Sequence, residues 1–469
     1  MKRVKLLGAG AALSVALVPL SLTAIGANAA IVTPVETGSV SAAPVGTSPN
    51  CNGCGNGKTL TVLLNNWGSP TSAQAAWEQS VAKQFKQATG ANVKFSTYLN
   101  VTQFSELLDR DAVSHTGPDV IQAADTYLGA AVAAGAYSSI TPGDWQLAGG
   151  KTRFISGALA NNLIGTPKTG PVVVPQWLNA NLMAYNTELF KEAGIAAPPT
   201  TWSQYVADGE KITKLGHGIY GSDFFPMDPL PWHIVYLIAA EYGGSFVNSA
   251  GTSATMTSAP VQKALEFWFD LYTKFHIAPP QSINWTSTQA NAAFAAGKLG
   301  MVNLQTEGLL STVKGQPAQG HVAFAPEPSV AYGQRAPVGG KLFESEVFSW
   351  DLGVAKWSKD PSLAYRFINV ATDPTNEAML VRAYQDLPST KAALAAVPAS
   401  SPLREFTKYV AEGVAAPQSP AWLTVEEASG TLTATLARDV QNHTYNHTTI
   451  MQALTKANEQ IDASLSQSG

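Results

Sequence analysis

Along residues 59–123 the apolar positions switch between continuous runs and helical spacing, and the switches predict an alternating fold. Thr59–Leu64 (TLTVLL) is a short β-rich run, closed by a turn at Gly68-Ser69-Pro70. Trp77, Val81, Phe85 and Ala88 then recur at helical spacing, with Gly90 as the stop. Val93–Tyr98 reads as a second strand. Phe104, Leu107, Leu108 and Val113 form one face of a second helix, and Asp119–Ala123 is a third strand. Strand, helix, strand, helix, strand is the pattern of a parallel sheet with covering helices. Ligands of such sheets bind beyond the carboxyl ends of the strands. That rule puts Asn65, Asn66 and Trp67 after the first strand, and Asp125 after the third, near any site.

The pattern continues with a long β-rich run, Val172–Tyr185, and a short helix, Asn186–Ala193, stopped by Gly194. Pro198-Pro199 forces an extended link. Thr201 or Ser203 can cap the next helix, which carries Tyr205, Val206 and Ile212. Trp232–Tyr242 is apolar enough for a buried helix, and Val261–Phe275 is amphipathic. Ala290–Ala296, Gly297 to Gly300 and Met301 read as helix, turn and strand. Further helices are expected at 360–371, 377–384, 403–413, 429–440 and 449–465.

Composition narrows the function. Only 13% of residues are charged, whereas 9% are aromatic, including 11 Trp; such a chain folds, so disorder is excluded for most of its length. Lys+Arg 29 against Asp+Glu 33 gives −4 with no basic run, which excludes nucleic acid as a partner. Residues 1–29 read as a signal peptide: Lys2, Arg3 and Lys5, an apolar stretch to Ile25, then Ala27-Asn28-Ala29 as the cleavage site. An uncleaved membrane anchor is the alternative for that stretch. Otherwise the product is exported, to the periplasm or the cell surface.

Residues 30–57 read as a flexible spacer of Ser, Thr, Pro and Gly. It holds both cysteines of the chain, Cys51 and Cys54, an even pair expected to form a disulfide in an exported protein. Pro49 and the following glycines argue against a redox helix, and zinc lacks further ligands. Gly57-Lys58-Thr59 resembles the end of a phosphate-binding loop, but Asn52 stands where its first Gly belongs. His443 and His447 have helical metal-pair spacing without an accompanying acid. Neither G-x-S-x-G nor H-E-x-x-H occurs. No cofactor is expected.

Five segments carry a resemblance. They are FKQATGANVKF (85–95), SHTGPDVIQAADTY (114–127), LMAYNTELFKEAGIAAPPTTWSQY (182–205), AFAAGKLGM (293–301) and IMQALTKANEQIDASL (450–465). In this order the chain resembles the extracellular solute-binding proteins of ATP-driven (ABC) importers, in their sugar-binding, maltose-binding-protein-like class. The YN…AG…PPTTW segment is the most specific. The resemblance implies an α/β, two-lobed periplasmic-binding-protein fold of type II-like form, with a multi-strand hinge and a ligand cleft between the lobes. The lobes are expected at 58–177 with 325–375, and at 178–324 with 376–469. A monomer, a sugar ligand and the permease subunits of an ABC transporter are the implied state and partners.

A sugar offers apolar C–H faces to aromatic rings and hydroxyls to Asp, Glu, Asn and Gln. Candidate ligand residues follow. Trp67 ends the first strand. Asp125, seven residues after Pro118, falls where the class has a hydroxyl-binding acid. Trp177 and Asn179 share one strand. Trp232 falls at a stacking-aromatic position of the class, with Phe224 and Phe225 close by. Trp285 is a further candidate. Glu307 stands where many relatives carry a stacking Trp, which suggests a hydroxyl or cation contact instead. Gly339 and Gly340 would let backbone approach the ligand. Core packing for the tryptophans, a helix cap for Asp125 and a turn for the glycines remain open. The leading function is sugar capture for a permease. The alternatives are another solute (a glycerophosphodiester, a polyamine or iron) or an exported carbohydrate enzyme using Asp125 and Glu307.

Overall fold

The aliphatic run TLTVLLN forms β1, Thr59–Asn65. It is flanked on both sides by parallel strands, β2 (Asn92–Tyr98) and β3 (Val120–Ala124). The computed structural model of the chain describes residues 51, 53–66, 71–162, 170–306, 308–335, 345–384, 386–399, 401, 403–413, 415–417 and 419–467. The helices Thr71–Thr89 and Val101–Ser114 make the two crossovers between these strands, as the alternation predicts. Trp77, Val81 and Phe85, at the predicted helical spacing, are fully buried in the core beneath β1.

The sheet then turns antiparallel. Next to β3 lies β7 (Glu346–Val354), and next to β7 lies β4 (Val173–Asn186). Sequence reading found β4 within a residue but did not find β7. The reason is its polar content: Glu346, Ser349 and Asp351 interrupt the apolar pattern, and all three are buried.

The long strand β4 has two sets of partners. Residues 173–181 pair with β7, whereas 182–186 pair with β5 (Met301–Gln305) and β6 (Val322–Ala325). A short strand, β8 (Leu387–Pro388), also joins β4. The path β2-β1-β3-β7-β4-β5 thus runs from one hydrophobic core to another. The first core gathers Leu60, Val62, Trp77, Phe85, Leu352 and Phe367. The second gathers Trp202, Phe224, Trp268, Trp422 and Leu454 under β5 and β6. The helix Pro374–Tyr384 contributes Leu380 to the first core, and its Asn376 Oδ1 accepts from Ser80 at 2.9 Å.

The resembling segments act on the scaffold. Asp119 accepts the amide and hydroxyl of Thr61 at 2.9 and 2.7 Å, which ties β3 to β1. Asn186 caps the helix Thr187–Glu192, Gly194 takes the left-handed stop at φ 68°, and Thr201 caps the helix Trp202–Thr213. At the start of the described body Cys51 and Cys54 form the disulfide. Gly55 beside them is buried and donates its amide to Thr89 at 2.8 Å. The end of the stretch read as spacer is therefore held by packing; residues 1–50 and 52, which hold the stretch read as a signal peptide and the rest of that read as spacer, lie outside the described residues. Among those residues no helix is long and apolar enough to cross a membrane.

Candidate functional site

A cavity of about 420 Å³ opens where the sheet changes partners. That volume is in the range of small-molecule sites. Its wall takes residues from both halves. Asp125, Thr126 and Tyr127 follow β3, and Phe348 and Trp350 project from β7. Asn181 comes from β4, while Asn303, Leu304 and Gln305 come from β5. The helix Pro231–Glu241 supplies Trp232 and His233, and the helix Trp422–Gln441 supplies Glu426. Asp125, Thr126 and Tyr127 follow the carboxyl end of β3, as expected for a site beyond the ends of parallel strands, whereas Phe348, Trp350, Asn181 and Asn303 project from within antiparallel strands.

The aromatic rings are held before any ligand arrives. Trp350 stacks on Trp177 with centroids 5.5 Å apart, and Tyr127 meets Trp350 edge-on at 6.2 Å. Trp232 lies against His233 on one side and meets Trp422 edge-on at 5.2 Å. Such contacts lock rotamers, so little side-chain entropy is left to lose on binding.

The polar wall is acidic. Asp125 is buried, with Oδ1 accepting the Thr126 amide at 2.8 Å. Burial pushes its carboxyl well above the usual range, and Asp351 and Glu346 add to the rise, while the Thr126 and Ser349 amides oppose it. Burial also pushes Glu426 up to about 7; His233 and the Thr126 side chain pull it down, and Glu346 and Glu427 push it up. His233 Nδ1 donates to Glu346 Oε2, which also accepts from Asn181 Nδ2 at 2.9 Å.

Behind β5 lies a second layer. Asn303 donates its amide and Nδ2 to Asp223 at 3.1 and 2.7 Å, and Nδ2 also reaches the Tyr205 hydroxyl at 2.9 Å. The Leu304 amide donates to buried Glu327 at 2.8 Å. These bonds hold Leu304 at φ 59°, a left-handed backbone that a leucine adopts only when its surroundings impose it. The acids of the second layer therefore set the angle at which β5 presents Asn303 and Gln305 to the cavity.

Of the candidates from sequence, the structure brings Asp125 and Trp232 together at this cavity. Phe225 joins them, while Phe224 is buried in the second core. Trp177, Asn179 and Trp285 are not part of the wall. Trp177 backs it through Trp350. Asn179 Nδ2 donates to Asp386 at 2.5 Å, on another side of β4. Trp285 packs on the small cluster around Phe294 and Leu299. Trp67, Glu307, Gly339 and Gly340 lie outside the described residues. Sequence reasoning missed Phe348 and Trp350 because it missed β7. It also missed His233, next to Trp232, and Glu426, whose helix was placed seven residues too late. Among the described residues no group of His, Cys, Asp and Glu is arranged to hold a metal.

Comparison with known proteins fits this geometry. The profile of the bacterial extracellular solute-binding proteins matches residues 67–378. A Brucella abortus protein named for a binding role is 28% identical over 155 residues, which spans 32% of this chain and only 36% of that protein. The diacetylchitobiose binding protein DasA of Streptomyces coelicolor is 22% identical over 385 residues, 79% of this chain and 82% of DasA. The maltose-bound MalE3 of T. maritima superposes with a TM-score of 0.67 at 17% identity, covering 86% of this chain and 99% of that one. Such a likeness shows a shared two-lobed periplasmic-binding-protein fold. With its profile matched over well over half the residues, the chain belongs to the bacterial extracellular solute-binding protein family.

Proposed function

We propose that this chain is the exported substrate-binding protein of an ABC importer and that it captures a saccharide in the cavity at the β4 partner change. One observation carries the reading: held aromatic residues (Trp232, Trp350, Phe348, Tyr127) and polar residues (Asp125, Asn181, Asn303, Gln305) line one cavity together. Rings match the C–H faces of a pyranose and the polar groups match its hydroxyls. The names of DasA and of the maltose-bound neighbour point the same way.

In this reading the lobes are 58–177 with 325 to about 384, and 178–324 with the remainder of the chain. The strands β4 and β7 serve as the hinge. Ligand contacts from both halves favour the closed form by their differential affinity for it. A signal peptide over 1–29 takes the chain out of the cell, where it works as a monomer that meets the permease, and its work is binding, not catalysis.

A thermal-shift screen against mono-, di- and oligosaccharides tests this, with phosphate esters as controls. A saccharide at 100 times its Kd adds about 2.7 kcal/mol of stability. A shift with one saccharide class, and intact saccharide after long incubation, supports the reading. A shift only with phosphate esters, or release of shortened sugar, overturns it.

A further inference from the structure

The cavity wall is unbalanced in charge and in hydrogen-bond sense. Asp125 and Glu426 face it, and among the described residues no Lys or Arg lines it. Around these two acids stand Glu346 and Asp351 from β7, Glu427 from the helix of Glu426, Tyr127 and His233. His233 is already bonded to Glu346. Among the buried side-chain atoms of the wall, Asp125 Oδ2, Asn303 Oδ1 and Asn291 Oδ1 have no hydrogen-bond partner; the two amide oxygens are acceptors, and Oδ2 becomes one when Asp125 ionises. The orientation of Asn303 is set by its donation to Asp223. Asp125, 1% exposed, is the sort of buried acid that is costly to ionise without a partner. A hydroxyl both donates and accepts, whereas an ammonium only donates and also carries the missing charge.

Building on the saccharide reading, we infer that the ligand of this cavity is a cationic saccharide, a sugar or sugar-like ring bearing a protonated amine held between Asp125 and Glu426. The amine supplies donors to the orphaned acceptors, while the aromatic rings take the face of the ring. Binding drives both carboxyls toward their ionised form, so protons leave as the ligand enters. Affinity for the ammonium then falls as pH drops and the acids stay protonated.

The test is titration calorimetry of the whole exported chain with matched pairs that differ in one group. The pairs are glucosamine with glucose, galactosamine with galactose, and fully deacetylated chitobiose with cellobiose. Spermidine serves as a cation without a sugar ring. In any pair that binds, the amine member should bind at least tenfold tighter at pH 7, with proton release visible in buffers of different ionisation heat. That preference should shrink severalfold in Glu426→Gln and in Asp125→Asn, and again at pH 5. Circular dichroism and a melting temperature of Glu426→Gln no lower than the parent's show that the fold persists. Equal or tighter binding of a neutral member overturns the cationic ligand and leaves the saccharide reading standing. Binding of spermidine alone overturns the saccharide reading and leaves the cation preference. Silence from every pair and from spermidine overturns the inference.

Discussion

Replacing Glu327 by Gln should flatten the pH dependence of stability. Glu327 is 1% exposed, Oε1 accepts the Leu304 amide, and Oε2 has no hydrogen-bond partner. Burial pushes its carboxyl from 4.5 up to about 8, and the neighbouring Asp223 adds to the rise. Between those two values the folded protein keeps the proton and the unfolded chain has lost it. Stability therefore falls as pH rises through that window. From pH 5 to pH 8 the loss is about 3 kcal/mol, at about 1.4 kcal/mol per pH unit and per proton. Gln does not titrate, has nearly the same shape and still accepts the Leu304 amide. At pH 5 the variant should lie within about 1 kcal/mol of the parent. At pH 8 it should be the more stable of the two by about 2–3 kcal/mol. Urea unfolding at pH 5, 6, 7 and 8, read at constant m, gives the comparison. Buried Asp223 and Glu241, pushed up to about 7 and about 9, leave both proteins with a residual slope of the same sign, so the readout is the difference between the two slopes. Parallel curves would mean that Glu327 is ionised in the folded state throughout, and would refute the argument.

Other perturbations give distinct outcomes. Trp232→Ala should cost about 3–5 kcal/mol, because the ring also packs on Trp422; Trp232→Phe should fold but bind saccharide at least tenfold more weakly by fluorescence titration. Gly353→Ala places a methyl 2.4 Å from the Tyr137 ring and should cost about 1–3 kcal/mol, seen as a lower melting temperature. Reducing the Cys51–Cys54 bridge should lower the urea stability by about 2 kcal/mol, the loop-closure value for so short a loop. Thr201→Ala removes a side chain that accepts the Gln204 amide at 3.2 Å and should cost about 1 kcal/mol by the same measurement.

Much of the fold was legible from local pattern. The strands β1 to β4 and most of the longer helices came within a few residues, since apolar spacing and capping residues act over a turn or two of chain. The stop at Gly194 and a cap at Thr201 or Ser203 were read from single residues, because each answers a local backbone need; the structure selects Thr201 and adds Asn186 as a cap. The central strand β7 was not legible. Its Glu346 bonds to His233 and Asn181, remote in sequence, and its Ser349 Oγ donates to Asp351 at 3.0 Å, so polar residues stand where a buried strand is expected to be apolar.

The sequence by itself determined an aromatic-rich, charge-poor α/β chain with a leader-like start, and it singled out Asp125 by its place after the third strand and Trp232 by the family resemblance. Tertiary structure decided which aromatics stand in the cavity wall and which stand behind it. Trp177 and Trp350 sit opposite each other in register on β4 and β7, yet only Trp350 lines the cavity. Tertiary structure also decided the charge of the site. Asp125, the β7 pair Glu346 and Asp351, and Glu426 come from three separate parts of the chain, and no local rule brings them together. Burial then raises the cost of ionising Asp125 and Glu426, and that depends on what packs around each carboxyl, a property of the fold that no stretch of sequence carries alone.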